Sequence, residues 1–473
     1  MLSFTISGNY TDLYQLNMSE VNFLEGRNEP PASFDYFFRK IPFDGGYVLF
    51  AGLGDLLNIL EDLHFTQTDL KFLKSLNFER TFIDYLERFQ FRGSVYSVKE
   101  GEVIFPNTPV LRVEGNIIEA QLVETLLLNT LNFQSLIATK ASRMKYVAGK
   151  AALSEFGLRR SQSTGGVLAT RASMIGGFTS TSNVYGAGLY NLEVSGTMAH
   201  SFIETYDSEL EAFRAFARSR PDGCVFLVDT YDTLNSGIPN AIMVAKEMEA
   251  DGKKAFGIRV DSGDLAWLAK TARKMLDEAG LRYMKIVVSN QLDEHVIKSL
   301  QEQQAPIDVY GVGTRLVTGY PDAALDGVYK LSMFDNEPRL KLSETIQKTT
   351  LPGVKEVHRC INSDGSFFGA DVISLRGEEP PTAMFHPYEP GKMTDLTGQV
   401  LEPLLQKVME KGRILGNLPS LPKIRDYAAK RLNLLPGEYK RFENPHVYKV
   451  GVTEALLNLR AHMADERRRA KTI

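Results

Sequence analysis

The chain has 473 residues, 43% of them hydrophobic and 24% charged, with a formal net charge of −4. That length exceeds one ordinary core, so two or three domains are expected, and the near balance of charge gives no ground for a nucleic-acid or anionic-membrane partner. Two cysteines, Cys224 and Cys360, make neither a disulfide framework nor a cysteine zinc site, which suits a reducing compartment. The opening MLSFTISGNYTDLYQ has no basic start leading into an apolar core. No window approaches the roughly 18 apolar residues of a membrane span. A cytoplasmic protein is expected.

Residues 1–135 mix helix and strand. SFDYFFRK and GYVLFAGL read as strands or buried stretches, while LGDLLNILEDLHF and FERTFIDYLERF carry the three-and-four apolar spacing of amphipathic helices. EVIFPNTPVLRVEG reads as two short strands about a Pro-Asn turn. From Ile117 to Ala151 the pattern is helical, and two helices meeting near Asn132 are predicted.

Residues 136–320 carry a different rhythm. Strand-like SEFGLRR leads to a helix over Gly166 to Met174, then to GGFTSTSNV and GTMAHSF. Four apolar runs follow, CVFLVDTYDT, AFGIRVDSGDL, KIVVSNQLDE and VYGVGTRLV. The first three are followed by the helical segments PNAIMVAKEMEA, LAWLAKTARKMLDEAG and EHVIKSLQEQQ, with Ser262 and Asn290 at expected N-cap positions. Repeated strand, polar turn and helix predict a parallel α/β fold, specifically an irregular or partial TIM-like barrel, with an open doubly wound sheet as the alternative.

Over residues 321–473, GVYKLSMF, PRLKLSE and SFFGADVISL alternate like antiparallel strands that return to the first domain. GEEPPTAMFHPYEPGKM reads as a loop, GQVLEPLLQKVMEKG as a helix, and the basic run RAHMADERRRAKTI as the solvated end of a last helix.

The polar clusters at the strand ends carry the chemistry, as in a parallel barrel. Asp261 and Asp264 lie three apart, with Gly263 between them, and Asp229 repeats the placement one strand earlier. Such carboxylates can bind magnesium, contact ribose hydroxyls or stabilise positive charge on a sugar carbon. The same pattern also suits a helix cap followed by a helix-dipole acid. Gly311, Gly313, Thr314 and Arg315 offer backbone N–H groups, a hydroxyl and a cation to a phosphate monoester, or form an ordinary turn. Arg159 and Arg160 stand side by side where a strand would send one of them into the site, for a phosphate or a carboxylate. His200 lies in a loop-like stretch with Gly196, Thr197 and Ser201, although a lone histidine is more often structural. Ser289 and Asn290 end the third run without an assigned task.

TDLYQLNM, FGLRRSQ, SGTMAHS, VDTYDT, RVDSGDL and YGVGTRLV, in this order and spacing, resemble the nicotinate phosphoribosyltransferases. The resemblance runs from Thr11 to about Val317 and more loosely beyond. It implies coupling of nicotinate to the anomeric carbon of 5-phosphoribosyl 1-pyrophosphate, giving nicotinate mononucleotide and diphosphate on the salvage route to NAD, with ATP hydrolysis coupled. It also implies an irregular α/β barrel flanked by an α/β domain built from both chain ends, and a homodimer with shared active sites. By the same resemblance His200 is the histidine transiently phosphorylated by ATP, and Arg159 and Arg259 hold phosphate and the pyridine carboxylate. Tyr14 of a second subunit stacks on the pyridine ring, with Phe156 on its other face. Asp229 and Asp261 lie near ribose and Mg2+, directly or through water, and Gly313, Thr314 and Arg315 form the 5-phosphate loop.

Nicotinamide-specific relatives place an aspartate where this chain has Ser182. A serine hydroxyl donates to the nicotinate carboxylate, whereas an aspartate would repel it. The alternatives are therefore a nicotinamide enzyme, which Ser182 disfavours, a quinolinate enzyme, which SGTMAHS disfavours, and a non-catalytic phosphosugar-binding barrel.

Overall fold

The computed structural model describes residues 6–343, 345, 349–389 and 391–469. Glu344, Pro390 and the last four residues of the basic C-terminal run lie outside them. The chain divides into two compact units, Met1–Leu136 with Ala324–Ile473, and Ile137–Ala323. Among the described residues no helix is long and apolar enough to cross a membrane.

The unit 137–323 is built on a six-stranded parallel sheet. Its order is Ser180–Thr181, Ala152–Glu155, Val309–Val312, Lys285–Val288, Gly257–Val260 and Val225–Leu227. Numbered along the chain, that order is 2-1-6-5-4-3, a ring in which each strand neighbours its sequence neighbour. Only the pairing of Ser180–Thr181 with Val225–Leu227 would be needed to close it, and no such ladder is present among the described residues. The strands are short apolar runs with Ile258, Val260, Ile286, Val288, Tyr310 and Val312 fully buried, as a sheet covered by helices requires. Helices Ile238–Ala250, Leu265–Glu278 and Glu294–Glu302 follow three of the strands and send every strand C-terminus to the same edge.

Two local expectations change here. The N-caps are Asp264 and Asp293, whose carboxylates each accept two backbone N–H bonds at 2.9–3.1 Å, rather than Ser262 and Asn290. The helices begin later because the strand-end loops are used elsewhere: Ser262 donates to Asp229, and Asn290 sits at a left-handed φ of 99°. Arg159 and Arg160 are not on a strand either. The strand stops at Glu155, and Leu158–Arg160 forms a 3-10 turn, which removes the alternation expected to send only one arginine inward.

The other unit carries a seven-stranded antiparallel sheet. Its order is Glu337–Pro338, Gly327–Phe334, Pro31–Phe38, Leu111–Asn116, Ser94–Ser97, Gln406–Glu410 and Arg413–Ile414. Gly327–Phe334 thus returns to pair with Pro31–Phe38, but PRLKLSE contributes only its start to a strand, since Pro338 has no N–H to extend the ladder. The segment read as the helix GQVLEPLLQKVMEKG is instead strands Val400–Pro403, Gln406–Glu410 and Arg413–Ile414. Pro403 in a helix interior would cost about 3 kcal/mol, and Lys411 and Gly412, at φ 50° and 71°, make a two-residue hairpin turn.

Phe367–Leu375 and Lys355–Ile361 do not complete the first sheet. They lie in a separate six-stranded sheet with its own small cluster of Cys360, Ala370, Val372, Met384 and Leu396. The proline-rich stretch read as a loop supplies that sheet with the hairpin of Ala383–Phe385 and Met393–Asp395. Finally, the helix break falls at Val123, not at Asn132. Helix Glu124–Ala148 runs through Asn132, whose side chain accepts a 2.9 Å bond from the Tyr36 hydroxyl instead of capping a terminus.

Candidate active site

The C-terminal ends of the parallel strands open onto a cleft of about 130 Å³. Phe156, Arg159, Arg160, Arg259, Asp261 and Ser289 line one stretch of it, and Asn290, Gln291, Gly311, Gly313 and Thr314 line the rest.

Strand Gly257–Val260 puts Arg259 and, just past its end, Asp261 at the rim. Arg259 Nη2 lies 3.0 Å from Asp261 Oδ1, its Nη1 donates to Thr197 Oγ1 at 2.9 Å, and its Nε donates to Ser289 Oγ at 2.8 Å. The Ser289 hydroxyl in turn donates to Asp261 Oδ1. The guanidinium also sits 5.7 Å from the Phe156 ring centroid, within reach of a cation–π contact. Phe156 itself packs where a side chain at residue 311 would be: a Cβ on Gly311 would meet the ring at 2.6 Å. Glycine at that position therefore lets the aromatic wall of the cleft exist.

Asp229, one strand over, accepts from the Asp261 backbone N–H at 2.8 Å and from the Ser262 hydroxyl at 2.7 Å, both on Oδ2. Its Oδ1 is buried without a protein partner. A buried carboxylate oxygen without a protein partner is open to a ligand, an ion or an ordered water. Asp264 is separated from this work, since its carboxylate caps the following helix. His200 begins the short helix His200–Glu204, with Nδ1 3.1 Å from the Thr230 hydroxyl and Nε2 4.0 Å from Asp261 Oδ2. It remains about 40% exposed, open to a reagent from solvent.

Arg159 and Arg160 both face the cleft, and among the described residues neither makes an ion pair. With Arg259 they make the cleft a receiver of anions. Of the proposed 5-phosphate loop, Gly313 and Thr314 line the cleft, whereas the Arg315 guanidinium is bound to the Asp293 carboxylate and lies 5.2 Å from the Tyr320 ring. Burial would raise the Asp293 carboxyl, but the Val296 N–H and Arg315 outweigh it and hold it below its ordinary value. Ser182 follows strand Ser180–Thr181, whose partner ends at Glu155, so its position is level with Phe156. Its N–H donates to the Glu155 carbonyl at 2.8 Å, and it is not among the cleft-lining residues. Tyr14 belongs to the other unit, on helix Leu13–Leu24, and is half exposed.

Three family models cover the chain: the N-terminal domain of nicotinate phosphoribosyltransferase over residues 10–132, the nicotinate phosphoribosyltransferase family over 151–363, and the C-terminal domain over 354–460. A Bacillus subtilis nicotinate phosphoribosyltransferase is 45% identical, the match covering 94% of this chain and 92% of the relative. The chain belongs to the nicotinate phosphoribosyltransferase family. The crystal structure of human nicotinic acid phosphoribosyltransferase superposes with a TM-score of 0.86 at 32% identity, covering 96% of this chain and 99% of that one. A nicotinate-nucleotide pyrophosphorylase from Pyrococcus furiosus, at 24% identity and a TM-score of 0.72 over 92% and 99% of the two chains, shares the fold. The chain is thus a phosphoribosyltransferase enzyme, and the cleft is its candidate active site.

Sequence reasoning placed Thr197 only as a neighbour of His200, expected only one of Arg159 and Arg160 at the site, and gave Ser289 no task. Thr197 had a signal in its place three residues before His200, and Ser289 had one in its strand-end position beside those of Asp229 and Asp261.

Proposed function

We propose that the enzyme joins nicotinate to 5-phospho-α-D-ribose 1-diphosphate, giving nicotinate mononucleotide and diphosphate in NAD salvage, with ATP hydrolysis coupled to the transfer. The observation that carries the reading is the pairing of two unpartnered arginines with carboxylates at one set of strand ends. That combination suits a substrate that is anionic at its ends and turns cationic at its reacting carbon.

Loss of diphosphate from the ribose builds positive charge at the anomeric carbon. Asp229 and Asp261, held in place before the reaction by their own hydrogen bonds, favour that charge without reorganising. The pyridine nitrogen attacks as it stands, so no general base is required. Arg159 fits the pyridine carboxylate or a phosphate as a bidentate partner, Phe156 offers an aromatic face to the ring, and Gly313 with Thr314 suits the 5-phosphate.

The free Oδ1 of Asp229 and the free Oδ2 of Asp261 fit Mg2+, which is usually held by one or two carboxylates and substrate phosphates; among the described residues no cluster of three or more metal-ligating side chains competes with that mode. The ion, when bound, would neutralise charge on the leaving diphosphate. His200 is the group that ATP phosphorylates in this reading, and the added charge beside Asp261 alters how the substrate anions are held.

A homodimer would complete the site. Leu13, Tyr14, Met18, Val21 and Leu24 are all exposed on one helix, at spacings that form an apolar stripe. Val184, Tyr185 and Leu189 do the same on helix Val184–Tyr190 of the other unit. A second copy of the chain is the occupant that would bring Tyr14 to the pyridine ring opposite Phe156. A cytoplasmic location fits a reaction on soluble metabolites.

Diphosphate release should be measured with nicotinate, nicotinamide and quinolinate, each with and without ATP. Release with nicotinate, stimulated by ATP, is expected. Equal or faster release with nicotinamide would replace the substrate, and no release with any of them would leave the binding-protein alternative.

A further inference from the structure

We infer that Ser289 is a positioning residue for the transfer step, whose hydroxyl keeps Arg259 from closing onto both oxygens of Asp261. The inference rests on the reaction proposed above and concerns how its site is held.

Ser289 is 3% exposed and lines the cleft. Its oxygen accepts from Arg259 Nε at 2.8 Å while its hydroxyl hydrogen goes to Asp261 Oδ1. Arg259 meets that same Oδ1 through Nη2 at 3.0 Å. Both bonds to Asp261 from this frame therefore fall on one oxygen. Oδ2 is left without a hydrogen bond and stands 4.0 Å from His200 Nε2.

An arginine and a carboxylate this close ordinarily form a two-pronged fork, with two parallel N–H groups on two oxygens. Here the Nε prong is occupied by Ser289, so the fork does not form. Arg259 has five N–H groups, and three are used, by Ser289, Thr197 and Asp261. One N–H on each terminal nitrogen remains for an anion. Removing the Ser289 hydroxyl frees the Nε prong, and the pair relaxes into the fork. That costs the reaction the oxygen facing His200 and leaves the free N–H groups of Arg259 where they are. No group is lost from contact with substrate, so the damage falls on the transfer step more than on binding.

The test is a cycle of Ser289→Ala and Asp261→Asn in the full-length enzyme, read as kcat and KM for nicotinate and for phosphoribosyl pyrophosphate. Ser289→Ala should lower kcat by about tenfold or more, the scale of lost support around a functional group, with each KM within about threefold of wild type. On the Asp261→Asn background the same change should cost less than about twofold, because residues acting as a unit are not additive. An unchanged kcat in Ser289→Ala overturns the inference. So does an equal fall in both backgrounds, or a fall that tracks the loss of folded protein in a thermal melt, because either marks a purely structural serine. Wild-type enzyme that releases no diphosphate from nicotinate overturns the transfer reading itself and this inference with it.

Discussion

Two arginines one hundred residues apart, Arg259 and Arg359, sit in charged clusters of opposite character. Arg359 is fully buried. It holds Asp371 through two bonds at 3.0 and 2.9 Å, Glu102 at 2.5 Å and the Val103 carbonyl at 2.7 Å, with Phe367 and Phe105 against its faces at 4.5 and 5.3 Å. Tyr448 and Arg431 complete the shell of Asp371 and Glu102. Around Arg259, by contrast, two guanidinium N–H groups, one oxygen of Asp261 and one of Asp229 are left over among the described residues, and Arg159 and Arg160 stand without an ion pair there. Both clusters contain similar residues. The difference is whether the protein satisfies its own charges. A saturated cluster has nothing to offer a ligand and serves the fold, while an unsaturated one is stable only in the sense that it waits for substrate.

That contrast can be broken by mutation. Arg359→Met should leave Asp371 as an uncompensated buried charge and Glu102 with Arg431 as its remaining cation, and cost about 3–5 kcal/mol of stability. Denaturant unfolding would show the loss, and kcat per folded molecule should stay at the wild-type value. Asp229→Asn should do the reverse. It should reduce kcat by about 10²–10³-fold, roughly 2.7–4 kcal/mol of barrier, with an unfolding midpoint no lower than wild type, because the buried Oδ1 gains nothing from the folded protein.

Smaller effects sharpen the same line. Ser182→Asp should raise the KM for nicotinate by about tenfold through repulsion of its carboxylate, equivalent to about 1.4 kcal/mol. An unchanged KM would remove Ser182 from substrate selection. Asp293, which caps a helix and binds Arg315, is a saturated acid on the site's own unit, so Asp293→Asn, which keeps a capping side chain but loses the ionic bond to Arg315, should cost about 1.5 kcal/mol of stability and affect kinetics little. Because its folded pKa is depressed, its stabilisation is present above the unfolded pKa and is lost as pH falls through the folded value. Melting curves of wild type and variant should therefore differ at neutral pH and converge in acid below the ordinary aspartate range.

The parallel sheet was legible because its strands are short apolar runs that end in polar clusters, and burial on both faces leaves no other use for them. The residues that line the candidate site were legible from the same ends. Errors arose where one pattern serves two structures. Val400, Leu401, Leu404, Leu405, Val408 and Met409 have helical spacing, yet Pro403 and the Lys411–Gly412 turn decide for strands. Asn132 resembles a helix end until its amide is seen to take the Tyr36 hydroxyl from a distant strand. Ser262 and Asn290 are good capping types, but Asp229 claims the first, and caps two or three residues later do the work. The role of Ser289 was hidden for a related reason. A hydroxyl announces nothing in one dimension, and its meaning comes from two charges that converge on it.

The ring of parallel strands stops one pairing short, and the chain that crosses this seam is residues 182–224, which carry His200. Elsewhere in the sheet an inserted or deleted residue would shift a ladder and turn every side chain beyond it to the wrong face. Across the seam no ladder holds the segment among the described residues; the bridge between Thr181 and Val194, the Ser182 N–H on the Glu155 carbonyl and the Arg259–Thr197 bond tie it to the strands. The length of the segment between those ties can therefore change without shifting the register that holds Asp229, Arg259 and Asp261. The open seam is thus the place in this sheet where the segment bearing His200 can change in length while the register of the other strands is kept.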